Sequence, residues 1–381
     1  MTILLNNDQK ALAESIRQFA SKELAPKAEH FDETESWNEP AFRAMAGLGL
    51  HGLTVPEADG GVGLGAVEST LAMEELGYAC ASSALSYLAH AILCVHNIST
   101  NASDAQKKKY LPKLIDGTWI GAMAMTEPGA GSDALGMTTK AVREGDFYYL
   151  TGSKLYITNG PYADILVVYA RTGLNRKDIS TFIVEKTFPG FKVSKKLRKM
   201  GMRASPTAEL SFDRCKVPVA NLIGEENASV SHMMRNLNIE RITISGISTG
   251  IARASLDYVL RFTTERKQFD KPLSSFQMVQ ERIAEMATDL AAGRALLFNS
   301  AAAYDAGDRG MALGSMCKLF TAKMATEAAL DAIQLLGGSG YMREYPVERY
   351  MRDAKLMEIG AGTNEVMRLI VARSLLKEMA D

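Results

Sequence analysis

The sequence is poor in the residue patterns that mark several large functional classes. Its four cysteines, Cys80, Cys94, Cys215 and Cys317, form no CxxC pair, so neither a zinc module nor a disulfide framework is indicated and a reducing compartment is expected. The five histidines, His30, His51, His90, His96 and His232, are scattered without an HExxH pair, which removes the usual basis for metal catalysis. His90, within Leu88-Ala89-His90-Ala91, reads as a core or capping histidine. No GxSxG elbow and no GK[ST] phosphate loop occurs. No apolar run reaches the roughly 20 residues of a membrane-spanning helix. Charge of one sign is also lacking: 43 Lys and Arg face 44 Asp and Glu, a net charge of -1, so nothing favours a nucleic-acid partner. The segment before the first helix is too short and polar for a signal peptide. The expectation is a cytoplasmic bacterial protein, or a mitochondrial-matrix one if the chain is a processed eukaryotic product.

What is present is an ordinary globular composition, 47% hydrophobic and 23% charged, over 381 residues, enough for two or three packed units. Leu12, Ile16, Phe19 and Ala20 recur at helical spacing after a cap at Asn7 or Asp8, and Pro26 ends or bends that helix. Further helices are predicted over 41–48, 66–79, 82–98 and 104–114. The middle changes to short β-branched and aromatic runs at 147–150, 165–170, 181–184 and 209–212, broken by turn residues as in an antiparallel barrel or sandwich. Helical periodicity returns after about Glu225, with long runs at 239–264, 275–306 and 312–336 that point to a bundle. No repeat or low-complexity linker interrupts this order. The predicted organisation is an N-terminal helical domain (1–120), a central antiparallel β-barrel domain (121–224) and a C-terminal four-helix bundle (225–381), an α+β fold.

Two glycine clusters invite a phosphate-binding reading. Gly60, Gly61, Gly63 and Gly65 lie outside any strand–helix context, so a surface loop is expected. Gly337, Gly338 and Gly340 follow a helical run and read first as its C-cap. Three polar segments are more specific. Met125-Thr126-Glu127-Pro128-Gly129-Ala130-Gly131-Ser132-Asp133 offers hydroxyls and exposed amides in a Gly-bent loop. Gly152-Ser153-Lys154-Leu155-Tyr156-Ile157-Thr158-Asn159-Gly160 adds an aromatic ring able to stack on a planar cofactor. Glu358-Ile359-Gly360-Ala361-Gly362-Thr363-Asn364-Glu365 leads into a final helix.

These segments, with Arg266-Lys267-Gln268-Phe269-Asp270-Lys271-Pro272 and Gln334-Leu335-Leu336-Gly337-Gly338-Ser339-Gly340-Tyr341, resemble the acyl-CoA dehydrogenase family over essentially the whole chain. Within it the likeness is greatest to the isovaleryl-CoA dehydrogenase group. Many relatives carry their catalytic glutamate at the position of Ala361, which cannot act as a base. The isovaleryl group carries it on a helix, in the pair matching Glu240-Arg241. The residues agree with that placement: Met233, Met234, Leu237 and Ile244 surround Glu240 at helical spacing, and an apolar setting raises a carboxyl pKa. The plainer alternative is a solvated helix charge or a partner for a nearby Arg. Gly246 and Gly250, four apart, predict close approach of another helix or a cofactor.

The resemblance implies FAD, held by Met125, Thr126, Gly131 and Ser132 of the first loop and by Tyr156, Ile157 and Thr158 of the second. Thr363 and Glu365 are expected to touch it too. Arg266, Gln277, Gln334, Gly337 and Gly338 match residues that reach the cofactor across a subunit boundary, which implies a homotetramer. Ser132, Leu93, Asn238, Arg241, Gly360, Ala361 and Gly362 are the expected substrate contacts, with Gly360 leaving room for a branched acyl chain. The implied reaction is α-proton removal by Glu240 and hydride transfer to FAD, giving a 2-enoyl-CoA, with electrons passed to electron-transfer flavoprotein. A straight short-chain dehydrogenase and a non-enzymatic flavin-loaded binding protein are the alternatives. No metal or membrane insertion is expected.

Overall fold

A computed structural model describes residues 5–379. The first helix, α1 (Asn7–Glu23), begins one residue earlier than predicted, because Asn6 rather than Asn7 or Asp8 is its cap. Asn6 Oδ1 accepts the Gln9 amide at 2.8 Å and Gln9 Oε1 accepts the Asn6 amide at 3.1 Å, a reciprocal pair that requires a three-residue spacing. The helix ends at Glu23 before Pro26, which sits in a 3₁₀ turn. Two short helices, α2 (Ala28–Glu33) and α3 (Glu39–Ala44), lead to α4 (Ala66–Ala79). The helix predicted over 82–98 is a composite. It runs as α5 (Ala81–Leu88), then a π-helical stretch (Ala89–His96), then α6 (Asn97–Asn101), before α7 (Asp104–Ile115).

The π stretch carries His90, which ties it to both neighbouring segments. His90 Nδ1 accepts the Gly121 amide at 2.9 Å, so its Nε2 carries the proton and donates to the Leu114 carbonyl at 3.0 Å. Burial first, then the neighbouring His51, holds this imidazole well below its usual pKa, so it is a neutral connector.

The central strands are β1 (Gly121–Ala124), β2 (Lys140–Glu144), β3 (Phe147–Thr158), β4 (Ile165–Arg171), β5 (Ile179–Glu185), β6 (Phe191–Lys196), β7 (Thr207–Pro218) and β8 (Leu222–Ile223). Their order is β6-β7-β3-β2-β4-β5-β8, with β1 paired to β4. The barrel expected from the sequence is not closed: β6 and β8 are free edges. Pairing is mainly antiparallel, but β1 and β2 each meet β4 in parallel. The physical reason lies at the edges. Edge strand β6, Phe-Lys-Val-Ser-Lys-Lys, is charged and exposed, and β8 has only two residues, so neither can complete a ladder.

The C-terminal part contains three long helices, α8 (Ser229–Glu265), α9 (Gln277–Asp305) and α10 (Met311–Leu336). Two shorter ones, α11 (Val347–Met357) and α12 (Asn364–Glu378), lie against α10 in place of a fourth long helix. Gly337 ends α10 in a positive-φ conformation, as its predicted cap role requires.

Helix α4 crosses α8 at unusually short range. A Cβ on Gly250 would lie 2.5 Å from the Glu74 carbonyl oxygen and 2.6 Å from the Tyr78 nitrogen, and one on Gly246 would lie 2.7 Å from the Thr70 oxygen. The glycine pair therefore admits a helix, not a cofactor. Around this crossing, Glu74 accepts two bonds from Arg294, and Glu75 is shared by Arg253 and Arg17, so α1, α4, α8 and α9 are joined by bidentate ion pairs on two buried carboxylates. Gly250→Val is expected to force the helices apart and destabilise the protein by about 1–3 kcal/mol, read as a lower thermal midpoint. Gly47→Ala, where an added Cβ meets nothing within 4 Å, is the matching control and should leave the midpoint unchanged.

Candidate active site

Strand β1 ends at Ala124, and the chain then turns through a two-bond bridge between Glu127 and Ala130. The Thr126 carbonyl accepts the Leu155 amide at 2.8 Å, which joins the first polar segment to the second. Behind this junction lies an ion pair that sequence reasoning did not single out. Lys154 Nζ is 2.8 Å from Glu127 Oε1 and donates to the Met125 carbonyl at 3.0 Å, while Glu127 also accepts from the amides and hydroxyl of Thr138 and Thr139. Burial pushes the Glu127 carboxyl up, but Lys154 and these donors outweigh it and hold it at about 2. Burial lowers the Lys154 ammonium to about 8, with Glu127 pulling the other way, so both partners are ionised at neutral pH. A signal was available: Lys154 has the same inward parity as Tyr148 and Leu150 on β3, a position that demands a partner.

The ladder between β3 and β7 shifts register between Lys154 and Ile157. That bulge puts Tyr156 at φ 62° and turns its ring outward, 66% exposed, while Ile157 returns to the core. Gly131 has nothing within 4 Å of an added Cβ, and Ser132 is exposed beside it. Met125 packs on the apolar cluster that includes Met233 and Leu237 of α8, so the first loop lies against the helix carrying Glu240.

Glu240 is buried, 6% exposed, on α8. Ile239 and Ile244 belong to one apolar cluster with Ile92 and Leu93, and Met123, Leu356 and Ala361 pack on it. Glu240 Oε2 has no hydrogen-bond partner. Burial raises this carboxyl to about 7, and the charges of Arg241 and Lys318 oppose the rise without cancelling it. The solvated-charge alternative is therefore wrong for this glutamate.

The segment between α11 and α12 closes the other side. Ala361 (φ 56°) and Gly362 (φ 95°) are consecutive left-handed residues, and Thr363 caps α12 by accepting the Val366 amide at 3.3 Å. Among the described residues the amides of Ala361 and Gly362 donate to no protein acceptor. The Ala361 carbonyl faces Arg241 Nε at 3.4 Å, and the Gly362 carbonyl accepts from Lys318 Nζ at 2.8 Å. Beside Gly360 an added Cβ would meet only Leu356 within 4 Å. Glu365 projects outward from the first turn of α12.

Two groups of expected residues sit apart from this cluster. Asn238 points to the turn before α10, its amide facing the Arg309 and Gly310 carbonyls at 3.4 and 3.3 Å. Arg266, Gln277, Gln334, Gly337 and Gly338 are exposed at the opposite end of α8–α10. Arg266 is 26 residues beyond Glu240 along α8, roughly 39 Å at 1.5 Å per residue. A cleft of about 440 Å³ lined by Arg43, Tyr162, Lys186 and Lys192 opens elsewhere and contains none of the expected residues.

The sequence of the chain matches three acyl-CoA dehydrogenase domain families: the N-terminal domain over residues 6–118, the middle domain over 122–215 and the C-terminal domain over 230–376. It is 44% identical over 376 residues to the mitochondrial isovaleryl-CoA dehydrogenase of Pongo abelii, covering 97% of this chain and 89% of that protein. The protein belongs to the acyl-CoA dehydrogenase family. Among solved structures, the butyryl-CoA dehydrogenase of Megasphaera elsdenii superposes with a TM-score of 0.96 at 36% identity, covering 99% of this chain and all of the other. A structure described as the FAD complex of PigA superposes at 0.94 with 31% identity, covering 98% and 99%.

This acyl-CoA dehydrogenase is thus an oxidoreductase for acyl-CoA thioesters, and its family implies a flavin. The residues present fit such a group. Tyr156 is an outward-turned ring beside the polar 125–132 loop, with open space at Gly131. Among the described residues no helix is long and apolar enough to cross a membrane.

Lys154→Met is expected to strand the Glu127 carboxylate in the core, at a cost of about 3–5 kcal/mol, and to loosen the Met125–Thr126 backbone. The measurements are the thermal midpoint and the flavin-to-protein absorbance ratio after purification, both of which should fall.

Proposed function

We propose that the protein dehydrogenates a short branched acyl-CoA, such as isovaleryl-CoA, to the 2-enoyl-CoA, with Glu240 as the base. The observation that carries this reading is the buried Glu240 carboxylate, unpartnered at Oε2 and raised to about 7, while Ala361, in the turn that the adjacent Arg241 bonds, holds no acid. Glu240 takes the pro-R α-proton of the thioester. The free amides of Ala361 and Gly362 receive the charge that develops on the thioester oxygen. Arg241 and Lys318 supply positive charge behind them, and the apolar wall of Ile92, Leu93 and Met123 excludes water, which keeps the carboxylate basic. FAD, when bound, supplies the acceptor for the β-hydride. Met125, Thr126, Gly131, Ser132, Tyr156, Ile157, Thr158, Thr363 and Glu365 are assigned to hold it, and Ser132 and Gly360 complete the substrate contacts, whereas Asn238, turned to the Arg309 and Gly310 carbonyls, is given none.

Arg266, Gln277, Gln334, Gly337 and Gly338 are too far from Glu240 along α8–α10 to serve a cofactor in the same active site. Their assignment to FAD therefore calls for a second copy of the chain. Exposed Phe269, Met278, Leu369 and Leu376 supply apolar surface for such contacts, and a homotetramer is the assembly proposed. Electron-transfer flavoprotein is the proposed acceptor of the electrons. The space beside Gly360 supports a branched chain, although a methylene in such a pocket is worth only about 1–3 kcal/mol of discrimination.

Glu240→Gln should retain flavin and lose turnover by at least about 10²-fold, whereas wild-type kcat/KM should rise with pH through about 7 as the carboxyl ionises. The same variant should be the more heat-stable protein at pH 8. The folded carboxyl holds its proton above the ordinary value of 4.5, so folding stability falls as pH rises from 4.5 to about 7. Removing the charge recovers up to roughly 3 kcal/mol. A Gln variant with wild-type turnover would dismiss Glu240 as the base.

Substrate choice is read by anaerobic titration of the purified protein with isovaleryl-CoA and butyryl-CoA while following the visible flavin spectrum. Faster bleaching at lower isovaleryl-CoA concentration is expected. Faster bleaching by butyryl-CoA would move the substrate to straight chains and leave the chemistry in place. No bleaching by any acyl-CoA would favour the binding-protein alternative.

A further inference from the structure

Lys318 is a buried cation that the proposed mechanism uses only as background charge. It sits two turns into α10 and is 1% exposed. Its ammonium donates to the Gly362 carbonyl at 2.8 Å and to Asn364 Oδ1 at 3.1 Å. Burying a lysine is costly unless its charge is used, and neither partner is a full counter-charge.

A trans peptide points its carbonyl and the following amide to opposite sides. Arg241, facing the Ala361 carbonyl, therefore directs the Gly362 amide away from itself. Lys318, bonded to the Gly362 carbonyl, fixes the next peptide plane in the same way. The two cations thus clamp both peptide units that flank Gly362, a residue at φ 95° that otherwise has the widest conformational freedom in the turn.

We propose that Lys318 is a positioning residue for the proton-abstraction step: by holding the Gly362 carbonyl it locks the turn on the far side of Gly362, so that the Gly362 amide, whose own peptide Arg241 holds, is aimed at the thioester oxygen. The inference rests on the assignment of Glu240 as the base. In that step the α C–H bond breaks, the proton passes to the Glu240 carboxylate, and the electron pair moves onto the thioester oxygen against the aimed amide. The positive charge behind the turn stabilises that oxygen and favours ionised Glu240. The charged groups around Lys318 are Glu240 and Arg241 of α8, Glu358 after α11 and Glu365 of α12, while Tyr169 of β4 also faces Glu240. Burial, together with Arg241, lowers the ammonium itself to about 8, and the acidic groups oppose that fall.

The test uses flavin-loaded wild type, Lys318→Met, Lys318→Arg and Glu240→Gln. Two readouts are combined: the pH profile of kcat, and deuterium uptake at the α-carbon of 3-thiabutyryl-CoA in D2O by NMR. That thioester can lose an α-proton but has no β-hydrogen to give. Lys318→Met should slow exchange and lower kcat by about tenfold or more with little change in KM. Its acid limb should move to higher pH, because a cation near Glu240 is lost. Lys318→Arg, which keeps the charge, should recover part of both effects. If the Met variant does not accumulate as folded, flavin-loaded protein, Lys318→Gln carries the test, since it keeps a donor for the Gly362 carbonyl. Wild-type exchange and an unmoved acid limb in the uncharged variants, with Glu240→Gln silent, would overturn the role of Lys318 alone. Wild-type exchange in Glu240→Gln would instead overturn the assignment of the base.

Discussion

Keeping water away from the Glu240 carboxylate is the constraint on which the rest of the site depends. An ionisable group with a partnerless oxygen survives inside a protein only where the surrounding packing cannot relax to hydrate it. Here the packing comes from the close crossing of α4 and α8 at Gly246 and Gly250 and from the composite helix that carries Ile92 and Leu93. The bidentate Glu74–Arg294 and Glu75–Arg253 pairs hold that crossing shut, so elements well away from the chemistry maintain a small dry volume. The reward is basicity: the same desolvation that penalises the charge makes the carboxylate able to take a weakly acidic proton.

Cations balance this arrangement without quenching it. Arg241 and Lys318 lie near Glu240 yet direct hydrogen bonds to the 361–364 turn, to the Ala361 and Gly362 carbonyls and the Asn364 side chain. Each therefore lowers the Glu240 pKa only through space. A direct ion pair would have returned the carboxyl toward the ordinary range and removed the property that the proposed base requires. The 125–132 loop uses the opposite solution. There Glu127 and Lys154 are in direct contact, the carboxyl is held at about 2, and the result is a rigid support. Two buried acids in one molecule thus differ in role because one is hydrogen-bonded and the other is not.

Much of the fold was legible from local patterns. Helix α4 lies where its periodicity placed it, and the long C-terminal helices begin and end close to the predicted bounds, apart from the extra turns at the start of α8. Strands β1, β2, β6 and β8 were missed for separate reasons: β2, Lys-Ala-Val-Arg-Glu, is largely charged and exposed. Gly-Ala-Met-Ala carries no strand signature, Phe-Lys-Val-Ser-Lys-Lys is an exposed edge, and two residues cannot show a period. The barrel expectation failed because closure depends on which edges meet, a non-local property. The π stretch was read as ordinary helix because apolar periodicity does not report the hydrogen-bond register within it.

The sequence by itself determined the family, the order of helical and strand segments, and the identity of Glu240 as the acid to examine. Those conclusions rest on residue identity and short-range spacing, which a linear chain displays directly. Only the tertiary structure decided that Glu240 is buried and unpartnered at Oε2, that Lys154 is paired with Glu127, and that Lys318 lies under a turn 44 residues away. Burial and electrostatic coupling are properties of what surrounds a side chain in space. For Lys318 that neighbourhood is assembled from α8, α10 and the turn before α12, and no local stretch of sequence contains it.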